Sequence, residues 1–188
     1  MDRPIVFLIL GFLFAVSARA ELQLAPTLVE SEGDGVKFKQ LAFADGDKTV
    51  TYLPPHGWGY SGSATQLMLH PRDKAQAEAT ITRVPLSQPA RFDAEGLKKL
   101  VDQAIAQIPK GSQNVTVVSQ EKNPVVINRK ETFLVILRYQ LFGQTYNRSV
   151  LFLNRDKDQI QFQLVCREED FNELQGAFLH SQFSWENL

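Results

Sequence analysis

Three long apolar segments near the C-terminal end of the chain are separated by very short connections. The segments are residues 132–142, 145–154 and 159–166, and the connections between them are two and four residues long. Connections of this length join antiparallel neighbours, because a parallel pair of strands needs a crossover of a dozen or more residues. The sequence therefore predicts an antiparallel meander, and with it a fold organised around an antiparallel sheet.

Shorter strands are predicted earlier in the chain. Residues 36–41 and 49–53 flank the pair Asp45-Gly46, which supplies the positive φ angles of a tight hairpin turn. Two more strands are predicted at 66–70 and 77–84, and another at 115–119. Residues 21–35 are polar and rich in glycine and glutamate, and this composition favours a loosely ordered leader.

The hydrophobic period changes between residues 92 and 109. Apolar residues recur there at spacings of three and four, which predicts an amphipathic helix that buries one face on the sheet. The stripe consists of Leu97, Leu100, Val101, Ala104, Ile105 and Ile108. Asp93 is the expected N-cap of this helix, because its side chain can accept a hydrogen bond from a free backbone N–H.

A second, shorter helix is predicted after the meander. It begins at the acidic residues 168–170, which are favoured at the positive end of a helix dipole, and it buries Phe171, Leu174 and Phe178. Residues 181–185 are expected to follow as an extended segment that packs back on the domain.

The first twenty residues have the pattern of an export signal. Arg3 precedes an apolar run at residues 4–16, and Ala18-Arg19-Ala20 has the small residues that a signal peptidase requires. The run is shorter than the roughly 20 apolar residues that span a bilayer, so an uncleaved anchor is the less favoured alternative. We expect a signal peptide at 1–20, a mature chain that begins at Glu21, a periplasmic or secreted location and no stable membrane anchor.

The charge balance argues against a nucleic-acid-binding protein, and the cysteine content argues against a disulfide-stabilised one. The chain has 20 basic and 21 acidic residues, and without residues 1–20 it has 18 and 20, a net charge of −2. This balance disfavours nucleic acid as a partner, since its phosphates bind basic surfaces. The single cysteine, Cys166, cannot form an intramolecular disulfide. It continues the apolar alternation of a strand, which predicts a buried thiol, and a reactive or intermolecular thiol is the alternative.

No pattern for catalysis, metal binding or a cofactor is found. The histidines His56, His70 and His180 are isolated and lack the close spacings of zinc ligands, and the glycine-rich phosphate loops and nucleophile motifs are missing from the sequence. We therefore assign no catalytic residue, no metal ligand and no cofactor. The Gly/Ser-rich segment 55–63 is the candidate binding loop, with His56, Trp58 and Tyr60 as its contact residues. The alternative is that Trp58 closes one end of the core.

The order of these features resembles the PsbP/DcrB-like group of small exported domains. The resemblance rests on the Pro-x-Gly-Trp turn at 55–58, the middle helix, the meander, and a terminal helix that ends in a Ser-x-Phe segment at 181–183. It implies one α+β domain at 36–188, an α/β/α sandwich with a central, mostly antiparallel sheet and helices packed on it. It also implies no enzymatic activity and a role in an envelope or membrane-associated assembly.

Two functions remain open at this point. The expected one is a non-catalytic binding or assembly module whose partner is an envelope protein or a membrane-associated assembly. The alternative is a small hydrolase or other enzyme whose site is built from distant residues such as His56, His70 and Asp73.

Overall fold

The computed structural model describes residues 21–33, 35–88 and 90–188, and the predicted signal peptide lies outside them. Ten strands, two α-helices and a short 3₁₀-helix are formed by this part of the chain. In chain order they are β1 (Thr27–Gly33), β2 (Val36–Asp45), β3 (Lys48–Tyr52), β4 (Trp58–Gly62), β5 (Gln66–Pro71), β6 (Glu78–Pro85), α1 (Ala94–Ala106), β7 (Gln113–Lys122), β8 (Thr132–Leu141), β9 (Gln144–Asn154), β10 (Asp158–Arg167), α2 (Glu168–Ser181) and the 3₁₀-helix Gln182–Ser184.

The strands form two antiparallel sheets. The large sheet has seven strands in the order β4-β5-β6-β10-β9-β8-β7, and the small sheet has the order β1-β2-β3. The predicted meander is confirmed as β8, β9 and β10, which pair along their whole lengths. The turn between β8 and β9 consists of Phe142 and Gly143, because Leu141 pairs with Gln144.

The predicted hairpin at Asp45-Gly46 is also confirmed. Asp45 pairs with Lys48, so the loop has two residues, and Gly46 takes the positive φ of 70° that the tight turn requires. The structure differs from the expectation for residues 21–35. Leu22 and Leu24 are fully buried in the core, and β1 pairs with β2 over seven positions. The leader therefore contains two core residues and an ordered strand, which its polar composition did not indicate.

The two faces of the large sheet are covered differently. One face packs against α1 through a cluster that includes Phe133, Val135 and Phe152. The other face packs against α2 and the small sheet through the larger cluster, which includes Leu151, Phe162 and Phe178. The α+β class and the sandwich of helices on a central antiparallel sheet are thus as predicted, and the second sheet is an addition that the sequence did not indicate.

Helix α1 begins as expected and packs with only part of its predicted stripe buried. The Asp93 carboxylate accepts a hydrogen bond from the Gly96 N–H at 2.8 Å, which is the predicted N-cap. Leu100 and Ala104 are buried, whereas Ile105 is 39% exposed. The interpretation of Ile105 as a core residue is therefore wrong, because it lies at the margin of the helix face that contacts β8.

The segment after α2 is helical where an extended conformation was expected. Helix α2 continues to Ser181, and the 3₁₀-helix Gln182–Ser184 follows it. The segment does pack back on the domain through Trp185, which stacks on Phe43 and Tyr52 at ring distances of 5.4 and 4.6 Å. Burial of the indole, together with the Thr51–Glu186 backbone pairing, anchors the segment.

The cysteine prediction is confirmed. Cys166 is fully buried in the larger core cluster, on the same face of β10 as Phe162 and Leu164. Burial raises the pKa of the Cys166 thiol to about 12. The thiol therefore remains protonated at neutral pH and is a poor nucleophile.

Candidate functional site

The predicted binding loop is partly an edge strand. Gly57 takes a positive φ of 79°, and the Trp58 N–H donates to the carbonyl oxygen of Pro55 at 3.2 Å, which closes a turn before β4. Trp58 and Tyr60 lie two positions apart on β4, and side chains at that spacing point to the same face of a sheet. His56 lies exposed in the turn.

Trp58 contributes to the core and to the surface. Its ring stacks on Phe178 of α2 at a distance of 6.1 Å and an interplanar angle of 12°, and it packs against the larger core cluster while half-buried. One face of the indole stacks on Phe178 and anchors β4 to α2, and part of the side chain remains exposed. Trp58 therefore packs at the end of the core, and its role as a contact residue stays a prediction.

The C-terminal segment meets this turn. The Leu53 N–H donates to Ser184 Oγ at 2.8 Å, across 131 positions of sequence. Thr51 and Glu186 also exchange two backbone hydrogen bonds, of 3.2 and 3.0 Å. These contacts place the end of β3 and the turn that follows it against the 3₁₀-helix after α2.

Large apolar side chains remain exposed on these two segments and on the neighbouring strand β4. Leu53 is 41% exposed, Tyr60 is 40% exposed and Phe183 is 60% exposed. The imidazole of His180 lies edge-on to the Phe183 ring at 6.2 Å. We call the surface formed by Leu53, Trp58, Tyr60, His180 and Phe183 the aromatic surface.

Both segments that form the aromatic surface lack formal charges. Residues 49–71 and residues 174–185 contain no Asp, Glu, Lys or Arg, in a chain of which 22% is charged. Depletion of charge together with enrichment of aromatic residues is typical of the centre of protein–protein interfaces. Phe183 and Leu53 were missed by the sequence reasoning, and the two uncharged stretches are the signal that could have indicated them.

The alternative catalytic residues lie around the end of the β4–β5 pair at which Trp58 is opposite Pro71. His70 lies on β5 between the buried residues Leu69 and Pro71, so its side chain points to the face opposite to that of Trp58. Asp73 is exposed in the turn between β5 and β6. Among the described residues, no hydrogen bond or ion pair joins any two of His56, His70 and Asp73.

A charged cleft of about 870 Å³ lies at the other end of β3, between the β2–β3 and β9–β10 turns. Arg155 contacts Asp45 at 2.9 Å and Asp158 at 3.0 Å, and Arg83 contacts Glu21 at 2.6 Å. Burial raises the pKa of the Asp158 carboxyl group, against the opposing effect of its two arginine neighbours. These ion pairs connect the two turns, and the cleft lining contains no histidine, cysteine or hydroxyl side chain.

A polar network occupies the sheet face beside α1. Gln159 and Gln161 are buried, and their side-chain amides form a hydrogen-bonded row that continues to Asn154 and Gln163. Gln107, just after α1, donates to the Gln161 amide oxygen at 3.0 Å. The network satisfies the side-chain amides of Gln159 and Gln161 and joins the end of α1 to β10, so we assign it a structural role. Among the described residues, the Asn154 side-chain nitrogen is left without a partner.

Two features are absent from the part of the chain that the structure describes. In the ranges that the structure describes, no three His, Cys, Asp or Glu side chains lie together in a way that could hold a metal ion. Within the same part of the chain, neither helix has the length and apolar character that would let it cross a bilayer.

The fold can now be placed among known structures. It is an α+β protein in which an antiparallel sheet has one helix on one face and a helix with a small sheet on the other. Cyanobacterial PsbP from Synechocystis matches it with a TM-score of 0.53 and 12% identity, over 83% of this chain and 96% of that chain. A Pseudomonas aeruginosa protein of unknown function matches with a TM-score of 0.47 and 12% identity, over 84% and 94% of the two chains.

The fold is therefore PsbP-like, as the sequence resemblance implied. No family model matches the sequence, and no curated protein has a sequence that matches it.

Proposed function

We propose that the protein is an exported, non-catalytic docking module of an envelope assembly, and that its partner binds the aromatic surface. The observation that carries this proposal is the meeting of two uncharged segments, around Leu53 and Phe183, which are far apart in sequence. Together they leave Leu53, Tyr60 and Phe183 exposed beside the half-buried Trp58.

The physical argument concerns solvation. Isolated exposed apolar residues are ordinary, but a group of them without neighbouring charges is typical of a surface that a partner covers. Aromatic side chains bury a large area on binding and lose little rotamer entropy, so they supply many of the energetic hot spots of interfaces. The aromatic surface is rich in aromatic side chains and lies on two uncharged segments, with Glu186 at its border beside Thr51. This favours a protein partner with a largely apolar contact surface.

The enzyme alternative has less support. General acid–base and nucleophilic catalysis need side chains within hydrogen-bond reach of one another, and His56, His70 and Asp73 have no such contact among the described residues. The resemblance to the PsbP/DcrB-like group also implies an assembly role without catalysis. We therefore favour docking over hydrolysis.

Export is part of the same proposal. The expected cleavage site lies between Ala20 and Glu21, and Leu22 and Leu24 are already fully buried. Cleavage at that point would leave the folded part of the chain intact. Mass spectrometry of the protein recovered from the envelope should give a first residue of Glu21, and a chain that still begins with residues 1–20 would contradict cleavage.

Site-specific photo-crosslinking in the native envelope fraction would test the docking surface. A photoreactive phenylalanine analogue replaces Phe183 or Tyr60, and the matched control replaces Phe142, which is 95% exposed in the β8–β9 turn. We expect one shared partner to be captured from positions 183 and 60, and to be lost with Leu53→Ser. Equal capture from position 142, or no capture from either test position, would contradict the proposal.

A further inference from the structure

The two sheets have four edge strands in the described part of the chain, and three of them are protected. At β3, Glu186 pairs with Thr51, and the Asn187 side chain donates to the carbonyl oxygen of Thr49. At β4, Pro26 and Leu24 lie directly against Gly62. Strand β7 pairs with β8 through two register irregularities, and such bulges discourage the addition of another strand.

Among the described residues, nothing comparable protects the fourth edge, β1. It pairs with β2 in one continuous register from Thr27 opposite Ala42 to Gly33 opposite Val36. The strand contains no proline or lysine, and every residue in it is exposed or half-exposed. Its outer side therefore presents a regular row of backbone N–H and C=O groups that an extended chain can pair with.

The two faces of the β1–β2 hairpin differ in chemistry. On one face, Glu30 lies opposite Lys39 and Glu32 lies opposite Lys37. The other face has no charge and exposes Val36 and Phe38 beside the half-buried Val29. Because side chains alternate along a strand, any segment that pairs with β1 places every second residue beside the two glutamates.

A second copy of this chain is a poor occupant of the edge. Antiparallel pairing of two β1 strands around Glu30 or Ser31 brings Glu30 beside Glu30 or Glu32 of the other copy, and like charges directly opposite are destabilising. A segment with a lysine or arginine opposite Glu30 or Glu32 would be stabilised by the attraction of opposite charges. It would also continue the alternation of charge across the strands, from Lys39 to Glu30 to the added basic residue. The glutamates thus disfavour self-association and favour a basic partner.

We propose that β1 accepts an extended segment of a partner protein by strand addition, and that this segment alternates basic and apolar side chains. The basic side chains lie beside Glu30 and Glu32. The apolar side chains extend the uncharged face of Val29, Val36 and Phe38. This surface is separate from the aromatic surface, and the proposal rests on the β1 register and charges alone.

The test uses the chain from Glu21 and three synthetic hexapeptides. In the first, lysine alternates with valine; in the second, glutamate alternates with valine; the third has the composition of the first, with its lysines and valines in two blocks. We expect the alternating basic peptide to bind, to slow hydrogen exchange of the β1 amides, and to bind more weakly as salt increases. The acidic peptide and the block peptide should bind much more weakly.

Charge reversal provides the specificity control. Glu30→Lys with Glu32→Lys should weaken binding of the basic peptide about tenfold, the effect of two cross-strand charge pairs, and should strengthen binding of the acidic one. If the charge-reversed protein does not fold, the double variant Glu30→Gln with Glu32→Gln replaces it. This variant should lose less affinity for the basic peptide than the charge-reversed protein. Glu121→Lys on β7 is the matched control and should change neither affinity.

Three results would overturn the proposal. They are no binding of the basic peptide at millimolar concentration, binding that is indifferent to the charges at positions 30 and 32, and protection of β7 amides in place of those of β1.

Discussion

The hydroxyl oxygen of Ser184 lies 2.8 Å from the backbone nitrogen of Leu53 and 3.2 Å from the Leu53 carbonyl oxygen. It also lies 2.6 Å from the carbonyl oxygen of Ser181, within its own helical turn. One side chain therefore joins the end of the small sheet to the end of the last helix. The position of Leu53 relative to Phe183, and with it the shape of the aromatic surface, depends on this contact.

Replacement of Ser184 by alanine should destabilise the protein by about 0.5–1.5 kcal/mol, the usual contribution of a single hydrogen bond. The Leu53 N–H would lose its acceptor, although its partial exposure lets water replace the hydroxyl. Urea unfolding measures the change, and Ser87→Ala in an exposed loop is the control. A midpoint for Ser184→Ala equal to that of the control would show that the contact contributes nothing to stability.

Helix α1 should respond very differently to two similar substitutions. Leu100 is 5% exposed and packs in the cluster beneath the helix, so Leu100→Ala should create a cavity and cost about 2–5 kcal/mol. Ile105 is 39% exposed, and Ile105→Ala should cost well under half as much. Urea unfolding of the two variants side by side measures both values. Equal losses would mean that Ile105 is as tightly packed as Leu100.

The buried thiol of Cys166 should make stability depend on alkaline pH. Its pKa is raised by burial from 9.0 to about 12, whereas an unfolded thiol ionises near its ordinary pKa. The unfolded state therefore binds fewer protons above that pH. The contribution of Cys166 is fully present below about pH 8.5 and is lost as pH rises toward 12, with a limiting slope of about 1.4 kcal/mol per pH unit.

Cys166→Ala removes the titrating group and supplies the comparison. The free energy of unfolding of the native protein should fall more steeply between pH 8 and pH 10 than that of Cys166→Ala. This range avoids most of the ionisation of Tyr52, whose pKa is also raised by burial. Parallel slopes, or rapid reaction of the native thiol with a disulfide reagent at pH 7, would contradict the buried and protonated state.

The two tryptophans should differ in their contribution to stability. Trp185 is 3% exposed and contacts the rings of Phe43, Tyr52 and Phe162, so Trp185→Ala should cost about 3–5 kcal/mol. Trp58 is half-buried on Phe178, so Trp58→Ala should cost less. Thermal unfolding gives the ranking, and acrylamide should quench Trp58 in a Trp185→Phe protein more than Trp185 in a Trp58→Phe protein. The reverse order in either measurement would refute the assignment of Trp185 as the core residue.

Local sequence patterns were sufficient to predict the secondary-structure elements that depend only on residues close together in the chain. The meander of β8, β9 and β10 follows from alternation and two short turns, and α1 follows from its period and its Asp93 cap. Burial of Cys166 follows from the same alternation. Each of these depends on residues within about ten positions of one another, where backbone geometry alone decides which side chains share a face.

Only the tertiary structure decided those features that depend on contacts between residues far apart in the chain. Residues 27–33 carry no strong strand pattern and form β1 because β2 offers a continuous set of hydrogen-bonding groups. Ile105 belongs to the helical stripe, yet it stays 39% exposed, whereas Leu100 and Ala104 of the same stripe are buried against the sheet. Leu53 and Phe183 come together through the hydrogen bond of Ser184 with Leu53, across 131 positions, and through the backbone pairing of Thr51 with Glu186. A single sequence contains no local signal for such contacts, since they are chosen by how whole elements pack together.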